Sequence, residues 1–247
     1  MRSLELDGFA VLPCVFGDRL IDGMLAQLGQ VFQSQAENAP IRSDGGSVYA
    51  ARNVLTLWPH AAEVWRQPVL VDALTAILGR QFGLVRVLYF DKPPDRTWTL
   101  PWHKDLTIAV RDNRRRSPHF TKPTTKAGVP HFEAPLEVLE GMITARIHLD
   151  DVTEENGPLM VLPGSHRAGK ELRLDGPKPQ YILVQRGDVL LMRPLLAHCS
   201  GRSHPDTRRH RRILHLEFAA SEHLPDGYAW HDFRPGLRRS NTPTPCR

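Results

Sequence analysis

The sequence predicts a mainly β fold, a β-sandwich or jelly roll with helices packed outside it. Three observations carry this. Seven short apolar or alternating runs lie between residues 82 and 220, separated by turn signals. Helical periodicity is confined to the first 80 residues. No internal repeat and no linker divides the 247 residues, so 1–247 reads as a single domain: helical flank 1–80, core 82–220, tail 221–247.

Asp18 is placed to cap a helix in which Leu20, Ile21, Met24, Leu25, Leu28, Val31 and Phe32 share one face. Residues 33–47 are polar and read as a loop. A second helix is expected over 61–78, disturbed by Pro68 and ended by Gly79. Strands follow at 85–90, 106–110, 142–149, 159–162, 181–184, 189–192 and 213–218. The turn signals between them include Pro93-Pro94-Asp95, Asn156-Gly157-Pro158, Pro163-Gly164-Ser165 and Arg186-Gly187-Asp188. Residues 111–135 hold Arg114-Arg115-Arg116, four prolines (118, 123, 130, 135) and little periodicity, which reads as a lid loop. Residues 238–247 are expected to fray.

Composition bounds the function. Apolar residues at 41% and charged residues at 24% fit a soluble globular chain. No apolar run approaches the ~18 residues of a membrane span. The acids and glycine near the start do not suit a signal peptide, so a cytoplasmic location is expected. Cys14, Cys199 and Cys246 form neither a disulfide framework nor a zinc knuckle. The formal charge is +5, and 26 of the 32 cations are Arg. The basic runs at 114–116 and 208–212 come without an RNP, zinc-finger or helix-turn-helix pattern, so no nucleic-acid partner is expected. Nothing in the sequence sets an oligomeric state.

The chemistry concentrates in Pro101-Trp102-His103-Lys104-Asp105. On a strand, residues two apart face the same way, which brings the His103 imidazole and the Asp105 carboxylate together. Alone, this is a weak signal. It gains from the run 187–198, where an apolar strand delivers His198 near its end, 93 residues after Asp105. Two His and one carboxylate match the facial triad of non-haem Fe(II). Beyond His198 come Ser200 and Arg211, which opens the strand run 211–218. A strand-borne Arg inside a barrel needs an anionic partner, and a dicarboxylate supplies one by a bidentate pair.

Taken in order, Asp7-Gly8-Phe9, Asp91-Lys92-Pro93-Pro94, Trp102-His103-Lys104-Asp105, Glu155-Asn156-Gly157-Pro158, Leu162-Pro163-Gly164-Ser165-His166-Arg167 and His198-Cys199-Ser200-Gly201 followed by Arg211 resemble the phytanoyl-CoA dioxygenase family of Fe(II)/2-oxoglutarate oxygenases. The resemblance implies a double-stranded β-helix core (jelly roll, cupin-like) with N-terminal helices. It implies Fe(II) on His103, Asp105 and His198, 2-oxoglutarate held at its distal carboxylate by Arg211 and Ser200, O2 as oxidant and a small-molecule substrate. Halogenating relatives lack the acidic ligand, so Asp105 favours hydroxylation. Many members carry Gln where Lys104 stands; on a strand that side chain faces away from the metal. The stretch from His198 to the Arg is longer than in the family's namesake, which sets Arg209 beside Arg211. Arg211, seven residues before Phe218, fits the strand pattern better.

Lys92 matches a family Lys and reads as a ligand of the C1 carboxylate or an anionic substrate, or as a solvated turn residue. Arg146 and His148 share a face with Thr144, for a pocket role or an edge salt bridge. His131 is expected at the surface and Cys199 in the core. A competing reading is a cupin-like metal-binding protein without oxygenase activity. Arg211 and Ser200 argue against it, since a bare metal site needs no dicarboxylate anchor.

Overall fold

The structure, a computed structural model, describes residues 2–34, 41–44, 47–94, 96–114 and 116–237. Helix α1 (Arg2–Leu6) leads into β1 (Phe9–Leu12). Helix α2 (Asp18–Ser34) buries Ile21, Met24, Leu28 and Phe32 along one stripe. The N–H groups of Leu20 and Ile21 donate to the Gly17 carbonyl. Gly17 is therefore the cap and Asp18 the first helical residue, where a negative charge suits the helix N-terminus. Part of the expected 33–47 loop is instead a strand pair, β2 (Ile41–Asp44) and β3 (Ser47–Ala51).

The helix expected over 61–78 is broken up. Helix α3 (Val54–Leu57) and a 3-10 turn (Pro59–Ala62) precede α4 (Pro68–Leu78). Pro68 opens α4 rather than disturbing it, because its fixed φ suits the first turn and its missing N–H has no partner to lose there. The remaining elements are β4 (Gly83–Phe90), β5 (Leu100–His103), β6 (Thr107–Ala109), β7 (Thr121–Lys126), β8 (Val129–Glu133), α5 (Leu136–Glu140), β9 (Met142–His148), β10 (Leu159–Val161), β11 (Gln180–Ile182), β12 (Val189–Met192), β13 (His198–Ser200), β14 (Ile213–Ala219) and β15 (Arg234–Pro235).

The larger antiparallel sheet runs β1-β12-β9-β14-β4-β3-β2, with β15 also on β4; the smaller runs β11-β10-β13-β5. Alternation divides the larger sheet. Ile143, Ala145 and Ile147 of β9 and Leu214, Leu216 and Phe218 of β14 join the apolar layer that also holds Met24, Leu28, Leu70 and Leu74 of α2 and α4. The intervening Thr144, Arg146, His148, His215 and Glu217 are also buried, on the opposite face. At one end, Leu190 and Met192 close against Leu159, Val161 and Ile182 of the smaller sheet.

The expected lid at 111–135 is largely a hairpin. β7 and β8 pair with each other, and β8 pairs with β6, forming a third sheet. The hairpin turns at Ala127-Gly128, both in the left-handed region (φ 50° and 78°) that a two-residue turn requires. Phe120 and Phe132 pack on Tyr228 with ring centroids 4.6 and 5.2 Å apart. Leu224, Tyr228 and Trp230, set apart as tail in the sequence reading, belong to that same buried cluster. Arg115 and residues 238–247 lie outside the described residues, so the expectation of fraying does too. Among the described residues no helix is long and apolar enough to cross a membrane.

Candidate active site

His103 and His198 meet across the β5–β13 pair, in direct register, with ring centroids 4.2 Å apart. Each ring is oriented by its own backbone. His103 Nδ1 donates to the Pro101 carbonyl at 2.8 Å and His198 Nδ1 to the Leu196 carbonyl at 2.9 Å. A carbonyl only accepts, so Nδ1 carries the proton, and in the neutral imidazole each Nε2 keeps a free lone pair. Those lone pairs point at one carboxylate: His103 Nε2 lies 3.8 Å from Asp105 Oδ1, and His198 Nε2 lies 3.6 Å from Asp105 Oδ2. The three ligand atoms lie within 4.8 Å of one another.

Two details of the sequence reading change. β5 ends at His103, so Asp105 reaches the site from the following loop, not by strand alternation. That loop is fixed where the Asp105 N–H donates to the Pro194 carbonyl at 2.9 Å. The apolar strand ends at Met192, and His198 opens the next strand after a turn. The Pro163-Gly164-Ser165 turn supports this placement: Ser165 Oγ accepts from the Ala197 N–H at 2.8 Å. Lys104 points away as expected, donating to the carbonyls of Ser165 and Gly169 at 2.9 and 2.7 Å.

The electrostatics suit a divalent cation. Burial would raise the Asp105 carboxyl, but His198, His215, His103 and Arg86 outweigh it and hold the carboxyl down at about 2. Burial lowers His198 to about 4 despite the neighbouring carboxylate, so this imidazole is neutral at pH 7. Asp105 Oδ2 is buried without a hydrogen-bond donor. An orphaned charged acceptor of this kind is costly unless a cation meets it. Two imidazole nitrogens and one carboxylate oxygen are the donor set of a non-haem iron site.

Lys92, Arg146, Arg211 and Ser200 form a second group beside the first. Lys92 is fully buried, so the solvated-turn reading is excluded; its Nζ donates to Ser200 Oγ at 3.1 Å and to the Gly201 carbonyl. Gly157 makes room for it. With φ 65°, it stands where a Cβ would come 3.0 Å from Lys92 Nζ and 2.8 Å from the Gly201 carbonyl. Asn156 ties this turn to the strand entrance, donating to the carbonyls of Asp151 and His210 at 2.8 and 3.1 Å. Arg146 sits on β9 between β12 and β14, so it is interior and not an edge residue.

Arg211 lies just before β14 rather than on it, because the Lys92–Arg211 backbone pair forms before the regular ladder begins at Ile213. No described carboxylate stands within ion-pair distance of Lys92, Arg146 or Arg211, and both Arg Nε atoms lack an acceptor. Burial, then Arg211 and Arg146, pushes Lys92 down to about 6. Burial, then Arg146, lowers Arg211 to about 9; burial lowers Arg146 to about 10. A dianion would relieve all three. By contrast, Arg209 is exposed beside Glu155 and Asp151, and Arg212 is bidentate on Asp150.

A third group has no sequence motif. Arg86 on β4 donates to both carboxylate oxygens of Glu217 on β14, to the Thr107 carbonyl at 3.4 Å and to His131 Nε2 at 3.1 Å. His131 is therefore buried, not at the surface: its Nδ1 donates to the Val129 carbonyl, and burial lowers it to about 4. The signal available in the sequence was a polar residue inside each apolar run, Arg86 in one strand and Glu217 in another.

A family model described as phytanoyl-CoA dioxygenase matches residues 4–211. An ectoine dioxygenase of Bordetella parapertussis is 28% identical over 186 residues, 73% of this chain and 53% of that protein. An L-proline trans-4-hydroxylase of Streptomyces griseoviridis is 25% identical over 166 residues, 66% of this chain and 53% of that protein. The chain thus spans about half the length of the curated relatives it matches. Among solved structures, EctD from S. alaskensis with bound Fe superposes with a TM-score of 0.67 at 19% identity, covering 88% of this chain and 74% of that one. AviO1 from Streptomyces viridochromogenes Tue57 gives 0.61 at 21% identity, covering 91% and 95%. These likenesses show the cupin-like fold.

Proposed function

The chain belongs to the phytanoyl-CoA dioxygenase family, and from that premise we propose that it is a non-haem Fe(II)- and 2-oxoglutarate-dependent oxygenase that hydroxylates a small molecule. The observation that carries the reading is the convergence of the His103, Asp105 and His198 ligand atoms within 4.8 Å. Bound together, Fe(II) and 2-oxoglutarate supply the activation of O2, with decarboxylation of the co-substrate to succinate and CO2.

The protein's own residues hold, orient and neutralise. His103, Asp105 and His198 hold the metal, and the backbone bonds at Nδ1 keep both Nε2 atoms aimed at it. Arg211 and Ser200 receive the distal carboxylate of 2-oxoglutarate. Arg146 adds positive charge in a water-poor setting, where charge-assisted hydrogen bonds are strong, and Lys92, held at about 6 without a ligand, takes up a proton as an anion binds beside it. Asp105 fills the position that chloride would need, which assigns hydroxylation rather than halogenation. The two named relatives, a dioxygenase and a hydroxylase, support this class. We place the reaction in the cytoplasm, on a small molecule and not on nucleic acid.

The reading is tested by Fe(II)-dependent succinate formation. His103→Ala and Asp105→Ala each abolish it; retained activity in either variant removes the assignment.

A further inference from the structure

We propose that Arg52 and Lys126 form a receptor for an oxyanion on the substrate, a carboxylate or a phosphate. This rests on the oxygenase reading and names its substrate class.

Basic side chains gather where the β6-β8-β7 sheet meets β4. Arg86, His131 and Glu217 form a closed set there: Glu217 gives both oxygens to Arg86, and His131 has a partner at each nitrogen. Arg52 and Lys126 are left over. Lys126 Nζ has one neutral partner, Thr107 Oγ1 at 2.8 Å. Arg52 has no hydrogen-bond or ion-pair partner among the described residues.

The two cations are held together by their neighbours in sequence. Asn53 Nδ2 donates to the Ala127 carbonyl at 3.0 Å, clasping the hairpin turn beside residue 52. Both residues of this clasp carry positive φ, 55° and 50°. The repulsion is felt: burial, then Arg86 and Arg42, lowers Arg52, and burial, then Arg86 and Arg52, lowers Lys126. Glu217 acts on both cations from a distance, and Asp105 on Lys126, but neither carboxylate pairs with them; a fold that clasps two half-buried cations without an ion-pair partner leaves that partner to a ligand.

The location fits a substrate of this enzyme. Thr107, which holds Lys126, lies two residues beyond Asp105, and the Asp105 charge acts on Lys126. Lys92, with Arg146 and Arg211 beside it, is bonded instead to Ser200 Oγ and the Gly201 carbonyl. The two cation groups therefore serve different ligands around one metal site.

The test uses wild-type protein with Zn(II) and N-oxalylglycine standing in for iron and co-substrate. Titration calorimetry then follows a size series of carboxylates from acetate to naphthoate, phenyl phosphate, and the matching amides. We expect an acid or phenyl phosphate to bind at least about 10-fold more tightly than its neutral counterpart. Which of the two binds better identifies the oxyanion. Arg52→Gln and Lys126→Gln lose the preference, and Arg52→Lys, which keeps the charge, restores part of it; thermal unfolding confirms that each variant is folded. Amides binding as well as acids, or no binding by any acid, overturns the proposal, as does a preference kept in both Gln variants. If N-oxalylglycine itself fails to bind wild type, the oxygenase reading falls and this inference with it. If it binds without an acid preference, this inference falls alone.

Discussion

Arg86, largely buried, and Arg211, fully buried, both carry guanidiniums beside the inner face of the larger sheet, and the fold treats them differently. Arg86 comes with its counter-charge: Glu217 takes it bidentately, and this contributes to raising the Arg86 pKa against the opposing effect of burial. Arg211 has no carboxylate within ion-pair distance among the described residues, and burial, then repulsion from Arg146, lowers it to about 9 although Asp91 acts the other way. One arrangement is complete in the folded chain. The other is electrostatically incomplete, and a dianion would complete it. On the proposed function, the difference separates structural charge from ligand-binding charge without reference to any motif.

The largest effect should come from breaking the complete pair. Glu217→Ala leaves the largely buried Arg86 without its paired carboxylate, a cost of about 3–5 kcal/mol. Urea unfolding of the apo protein reads this directly. A loss under 1 kcal/mol would mean that Arg86 finds other solvation and that the contrast is weaker than drawn.

The incomplete group should respond in ligand binding instead. Arg211→Ala raises the KM for 2-oxoglutarate at least about 100-fold, through loss of a buried charge-assisted pair. Apo stability does not fall with it, since a desolvated, unpaired cation has been removed. Arg209→Ala, at an exposed site, leaves the same KM within about twofold. Steady-state kinetics on the two variants settles the choice between them.

Smaller, but diagnostic in sign, is the pH dependence of apo stability. Lys92 sits at about 6 in the folded chain against 10.5 for an unhindered lysine. Between those values the unfolded chain binds the extra proton, so stability rises with pH across that window and falls as pH drops toward 6. The slope from this group is about 1 kcal/mol per pH unit. Lys92→Met flattens it, as read by urea midpoints between pH 6.5 and 9.

Much of this architecture was legible in the sequence, for identifiable reasons. β9 and β14 alternate cleanly, so their boundaries and their two faces could be read from period-two patterning. The meeting of His103, Asp105 and His198 was legible because the residue types that can chelate a metal stand out at that spacing. Asp105 arrived by a different route, a loop held by Pro194, since the periodicity of a strand says nothing of where the strand ends. The β7–β8 hairpin was not legible. Its turn is Ala127-Gly128 rather than Asn-Gly, and Pro123 and Pro130 argue against strands; Pro123 is tolerated on the edge strand β7, at a shift of register. The Arg86–Glu217 pair was hidden too. Its members are 131 residues apart, and each alone looks like an ordinary polar residue in an apolar run.

The most direct test of the central claim, that these three side chains and the uncompensated cations beside them form one iron and 2-oxoglutarate site, is an anaerobic spectrum. Adding Fe(II) and 2-oxoglutarate to the wild-type chain should produce the visible charge-transfer band of the chelated co-substrate, absent in Asp105→Ala and, at the same 2-oxoglutarate concentration, in Arg211→Ala. A wild-type chain that binds Fe(II) and gives no band would contradict the account.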